Sequence, residues 1–238
     1  ASAGLARRAC AGAWDEGGWW PAVHRCDIRA VERLVREGGV SPDTEDSQGF
    51  RAIHVAAVSG YDRLLDCLAD LGADLDASNN AGGTPCMCAV KYDEPGTLLA
   101  LVRRGADVRV QSHETGATAL MIAAEEGRLD CVRILLQAGA PVDAATCHGR
   151  TALMQGASFG QLRALQHLVD AGADLGRQDR QGATAVHLAC ASGHAPVVEY
   201  LAAQGADLRL IDRNNLSPAD IARGSGDEEM LRALGETP

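Results

Sequence analysis

Aromatic bulk is what this sequence has least of. Three Trp, three Tyr and two Phe make up 3% of its 238 residues, against 46% for apolar residues as a whole. Thick interiors draw on the large area that each ring buries, so this core has to be assembled from Ala, Leu and Val in closely packed helices. Lysine is scarcer still, with Lys91 alone among 22 basic residues. Acidic residues number 32 and bring the net charge to −10, which argues against the clustered basic surface that phosphate-backbone binding needs. Nucleic acid is not expected as a partner. No apolar run reaches the 18 or so residues of a membrane span, and no secretion-type apolar core is visible, so membrane insertion is not expected either.

Metal and catalytic patterns are missing as well. The eight cysteines (10, 26, 67, 86, 88, 131, 147 and 190) are scattered among apolar neighbours, without the spacing of a disulfide framework. Cys86 and Cys88 stand two apart, which on a helix turns them to different faces, and no second pair follows at zinc-binding distance. Free thiols, no zinc and no cofactor are the expectation, in a reducing, cytoplasmic compartment, with the nucleus or a cytoskeletal assembly also open. Cys147-His148 falls on a predicted loop tip and lacks the orienting third group of a nucleophilic pair. The glycine-rich stretches lack the context of a phosphate loop. The chain is therefore not expected to be an enzyme.

What the sequence does have is a period. Gly-Ala recurs at Gly72, Gly105, Gly139, Gly172 and Gly205, and a second glycine at Gly49, Gly82, Gly116, Gly149 and Gly182. After the second come RAIHVAA, TPCMCAV, TALMIAA, TALMQGA and TAVHLAC. Each unit reads as turn, helix, turn, helix. Thr or Ser precedes the apolar run as an N-cap, Pro85 and Pro218 sit where a first helical turn tolerates proline, and Gly60, Gly127, Gly160 and Gly193 close the first helix. One such pair cannot bury its own apolar face, so neighbours must stack and share a core.

The 33-residue period and the T-P-L-H-x-A-like runs, most complete in residues 179–208, resemble the ankyrin-repeat family. The resemblance implies an all-α solenoid of stacked helix-turn-helix units with short β-hairpin-like loop tips. Full repeats are placed at 46–78, 79–112, 113–145, 146–178 and 179–211. An N-terminal cap is placed at 13–45, its first helix starting at Pro21, and a C-terminal cap at 212–238, making 13–238 a single domain. Residues 1–12, with Arg7 and Arg8, lack periodicity and read as a tail or linker. Two departures stand out. Gln155 interrupts a row filled elsewhere by Val55, Cys88, Ile122 and Leu188, and Asp93 replaces a capping glycine with Pro95 close behind, which predicts an irregular helix pair.

The resemblance further implies structural roles for His54 and His187, whose rings bond to backbone, and protein binding through the concave face and loop tips. The matching variable positions include Phe50, Tyr92, Glu125, Glu126, Arg150, Phe159 and Arg180. An acidic pair flanked in the repeat order by Tyr92 and Phe159 suits an Arg or Lys side chain, through charge pairing and cation–π contact. The expected function is a non-catalytic scaffold or adaptor for a protein or peptide, with a basic segment as candidate ligand. A permanent structural subunit of a large assembly and a substrate receptor for a modification machine are the alternatives. The chain alone is expected to be a monomer, or a subunit of a larger complex. Trp19 and Trp20 are assigned to holding the N-terminal end.

Overall fold

The computed structural model describes residues 18–236. The tail at 1–12, Cys10, residues 13–17 of the N-terminal cap and the last two residues of the C-terminal cap lie outside that span. Among the described residues, fourteen α-helices succeed one another and no strand occurs. The chain divides into two compact units, Ala1–Glu114 and Thr115–Pro238.

The first unit carries α1 (Trp19–His24), α2 (Ile28–Arg36), α3 (Ala52–Ser59), α4 (Asp62–Asp70), α5 (Pro85–Lys91) and α6 (Pro95–Arg104). Helix α3 packs between α1 and α5, while α2, α4 and α6 form a second row behind them. In the second unit α7 (Ala119–Glu125), α9 (Ala152–Ser158), α11 (Ala185–Ala191) and α13 (Pro218–Ser225) form one row. The other row is α8 (Leu129–Gln137), α10 (Leu162–Asp170), α12 (Ala195–Ala203) and α14 (Glu228–Ala233).

Most first-row helices run seven or eight residues, too short to persist alone in water, so burial must hold them. Helix α3 is buried from Ala52 to Val58. Leu64, Leu65, Leu68, Leu98 and Leu101 fill the first unit, and Leu120, Met121, Leu135, Leu153, Met154 and Leu165 the second. No large ring is among them, as the composition requires. The hydroxyls of Thr84, Thr118, Thr151, Thr184 and Ser217 each accept the backbone N–H three residues on, as N-caps. Each such cap contributes about 1 kcal/mol.

Two expectations need correcting. Helix α1 starts at Trp19, not Pro21, which places the proline third in the helix. The N–H groups of the first turn have no intrahelical acceptor, so a proline there costs no hydrogen bond. Nor is the α5–α6 pair irregular. Asp93 itself takes the left-handed conformation (φ 58°) that Gly60, Gly127, Gly160 and Gly193 take elsewhere, and Pro95 opens the ten-residue α6. A short polar side chain tolerates that region better than most.

The tips are hairpin-like without being strands. Asp46, Asn79, Thr146, Asp179 and Asp212 each donate a backbone N–H to the carbonyl four residues on, at 2.9–3.0 Å. One bond then links neighbouring tips within a unit, as in Asn80 N–H to Gln48 O (3.0 Å) and Arg180 N–H to His148 O (2.8 Å).

His54 and His187 tie helix to tip. His54 Nδ1 accepts the Arg51 N–H at 3.1 Å, and its Nε2 faces Ala77 O at 2.9 Å and Gly83 O at 3.1 Å. That set assigns the proton of the neutral ring to Nε2. His187 repeats the arrangement with Thr184 on one side and Leu216 O on the other. Burial is the main cause holding both rings below the ordinary histidine pKa. A folded pKa below the unfolded value means stability complete above the unfolded pKa and lost as pH falls toward the folded one. Urea midpoints should therefore decline as pH drops below about 6.5, the ordinary histidine value. A His54→Asn/His187→Asn double variant, weaker at pH 7, should show a shallower decline. Equal slopes would remove these rings from the acid response.

Candidate functional site

The second unit contains a groove of about 480 Å³ formed by three consecutive repeats. Thr115, Ala117 and Glu125 come from the first, Thr146, His148, Arg150 and Gln155 from the second, and Asp179, Arg180 and Gln181 from the third. All of these but Ala117 carry polar or charged side chains.

The tip walls are fixed by a recurring device. At Asp46, Asn79, Thr146 and Asp179, each three residues before a tip glycine, and at Asp212, three before Asn215, a side-chain oxygen accepts two backbone N–H groups of its own tip. Thr146 Oγ1 takes those of His148 (3.3 Å) and Arg150 (3.1 Å), and Asp179 Oδ1 those of Gln181 (2.8 Å) and Ala183 (3.0 Å). Asp46, Asn79 and Asp212 do the same in their tips. Asp179 has a second role. Its side chain is only 4% exposed, and its other oxygen lies 3.5 Å from Arg150 Nε, pinning that guanidinium to the wall.

Glu125 ends α7 at the opposite side, where its carbonyl accepts Gln161 Nε2 at 3.1 Å. Gln155 donates from Nε2 to Glu125 Oε2 across a long 3.4 Å. Its Oε1 is buried and has no hydrogen-bond partner. An unsatisfied buried acceptor costs about 1–3 kcal/mol. Gln155→Leu, which restores the apolar row, should raise the melting temperature by roughly 2–12 °C for a chain of this size. A lower melting temperature would mean that the amide is satisfied in solution.

Of the residues singled out in the sequence, Glu125, Arg150 and Arg180 meet in this groove. Glu126 is exposed beside it and pairs with Arg128 at 3.6 Å. Phe159, 53% exposed at the end of α9, lies outside the lining. Phe50 and Tyr92 belong to the first unit and are half-buried, Phe50 with its ring 5.4 Å from that of His54. Gln181, a further variable position of the family pattern, also lines the groove, whereas the sequence reading missed Asp179 and Thr146. The recurrence of Asp, Asn or Thr three residues before most of the tip glycines was the available signal for both.

None of the seven described cysteines forms a disulfide, and of these only Cys147 is exposed. Burial pushes the Cys86, Cys88 and Cys190 thiols up to about 12, which makes them poor thiolates. No helix among the described residues is long and apolar enough to cross a membrane.

A family model described as ankyrin repeats (3 copies) matches residues 20–112, 87–179 and 153–237. The chain belongs to the ankyrin-repeat family. The crystal structure of the ankyrin repeat domain of Bcl-3, titled a unique member of the IkappaB protein family, superposes with a TM-score of 0.81. It is 28% identical and the match covers 90% of this chain and 96% of that one. The B-cell lymphoma 3 protein homolog of Mus musculus is 30% identical over 122 residues, 51% of this chain. The nuclear factor NF-kappa-B p105 subunit of Gallus gallus is 30% identical over 132 residues, 54% of this chain. The matched stretch spans 27% of the first relative's length and 13% of the second's. Ankyrin repeats are protein-interaction modules, and the fold places this chain among them.

Proposed function

We propose that this chain is a non-catalytic adaptor or scaffold that docks a segment of a partner protein on its concave face and loop tips, chiefly in the groove of the second unit. The groove itself carries the reading. It is concave, built from three repeats and held rigid by tip hydrogen bonds, with several polar groups converging on it, which is the form a recognition surface takes. Glu125 offers a carboxylate there, with exposed Glu126 beside it and exposed Phe159 at the same helix end one repeat on, which favours a segment bearing Arg or Lys. Bonds to backbone, some of them in the next tip, occupy the rings of His54 and His187, and burial raises the Cys86, Cys88 and Cys190 thiols, so none of these five supplies a catalytic group.

Affinity capture from cells of the source organism tests this. Glu125→Lys/Glu126→Lys should lose proteins that the unaltered chain retains, by about tenfold or more if the contact is central. Glu199→Lys, an exposed change on α12, should keep them. Capture should also weaken with salt, since partly exposed pairs are screened over about 8 Å at physiological ionic strength. Identical capture by both variants would sink the proposal.

A further inference from the structure

Arg180 and Arg213 occupy the same position of the last two tips of the second unit, each directly after an aspartate that holds its turn, and both are exposed. The tips are stacked, since Arg213 donates its backbone N–H to Gln181 O at 2.8 Å, as Arg180 does to His148 O. Neither guanidinium has an ion-pair or hydrogen-bond partner among the described residues. The neighbouring aspartates are committed elsewhere. Asp179 serves its own tip and Arg150, and Asp212 accepts the N–H groups of Asn214 (2.8 Å) and Leu216 (2.9 Å). Two cations are therefore left open, one repeat apart, in a chain of net charge −10.

The last of these tips also exposes two aliphatic side chains, Ile211 at 50% and Leu216 at 40%. They flank the turn that Asp212 N–H closes onto Leu216 O at 2.9 Å. The preceding repeats of this unit put Ala145 and Gln178 at the first position, and Arg150 and Ala183 at the second. Terminal repeats stay soluble by keeping their outward surface polar, so an apolar pair on the last described tip marks a surface with another use. Leu216 holds the tip position that Ala117 and Arg150 fill in the groove's lining, so that row of positions runs on to it. We infer that the last two tips form a second contact, for an extended acidic segment of a partner protein that also carries an aliphatic residue. Its carboxylates pair with Arg180 and Arg213, whose planar forks suit bidentate hydrogen bonding. Its aliphatic side chain covers Ile211 and Leu216, which a phosphate backbone cannot do. Stacked repeats stand about 8–10 Å apart and an extended chain rises about 3.3 Å per residue. The two acids should therefore lie roughly two to four residues apart, with the aliphatic residue beside the one that meets Arg213. This contact extends the docking role proposed above and uses none of the groups on α7.

The test is to pan a phage-displayed library of random 12-residue peptides against the immobilised full chain, and to titrate the most enriched acidic sequence as a synthetic peptide. Enriched peptides should include a class with two acidic residues at that spacing and Leu, Ile or Val beside one of them. Arg180→Gln and Arg213→Gln should each weaken its binding about fivefold or more, and Ile211→Ser/Leu216→Ser about tenfold. Arg163→Gln, an exposed change on α10, should leave it as it was. Replacing the acids of the peptide by Gln, or its aliphatic residue by Ser, should weaken binding to the same extent on the unaltered chain, which keeps the result independent of variant folding. Sedimentation of the chain alone should show no dimer that Ile211→Ser/Leu216→Ser dissolves; such a dimer would overturn the reading in favour of a second copy. If no acidic class is enriched, or if it ignores either the arginines or the aliphatic pair, the second contact falls. The docking role of the groove would still stand if Glu125→Lys/Glu126→Lys loses captured proteins, and falls with it only if that capture is unchanged.

Discussion

Replacing Trp19 with alanine should destabilise the first unit by about 3–5 kcal/mol, the usual cost of emptying a buried aromatic site. Trp19 is 5% exposed on α1, the helix that closes one end of the described stack against α2 and α3. A terminal repeat has a neighbour on one side only, so each buried group there carries a larger share of the local stability. Hydrogen exchange should quicken in α1 and α2 first and in α3 next, and hardly at all in α8 to α12. The indole Nε1 is buried without a partner, so Trp19→Phe removes some volume but no hydrogen bond and should cost far less than alanine. Trp20, half-buried with its ring 6.2 Å from that of His24, should tolerate alanine better than Trp19. Unchanged exchange across α1 and α2 in Trp19→Ala would show that the indole does not hold this end.

That the two tryptophans differ could not be read from the sequence, because it depends on where α1 begins. Pro21 suggested a helix start, yet a proline is equally at home further along a first turn, and the helix includes both rings. Asp93 misled in the opposite way. Its position demanded positive φ, and the sequence showed no glycine there, but a carboxylate-bearing residue can take that conformation at modest cost. The fold itself was legible, because the same backbone requirements recur about every 33 residues and most recurrences are answered by Gly or Thr. The site was legible only in part. Gln155 announced itself as a polar break in an apolar row. Glu125 and Glu126 looked equivalent as neighbours, but consecutive residues at a helix end point different ways, and only Glu125 lines the groove. Asp179 was hidden because aspartate in a loop is ordinary; its work is to accept two N–H groups of its own tip, which only folded geometry displays.

Asp179→Ala should cost the second unit about 3 kcal/mol and dismantle one wall of the groove. Two backbone N–H groups would lose a charged acceptor, and each such bond contributes about 1.5–3 kcal/mol, offset in part because water can reach the tip. At roughly 2–4 °C per kcal/mol for a chain of this length, the melting temperature should drop by about 6–12 °C. Asp179→Asn separates the two roles of the side chain. An amide oxygen can accept the same pair of N–H groups, as Asn79 Oδ1 does for Ala81 and Gly83 at 3.0 and 2.9 Å. Most of the stability should therefore survive in Asp179→Asn, while the 3.5 Å ion pair with Arg150 is lost. Freed from its counter-charge, Arg150 would add a second open cation beside Arg180. If Asp179→Asn melts as low as Asp179→Ala, the charge rather than the tip hydrogen bonding holds the wall, and the assignment of its two roles is wrong.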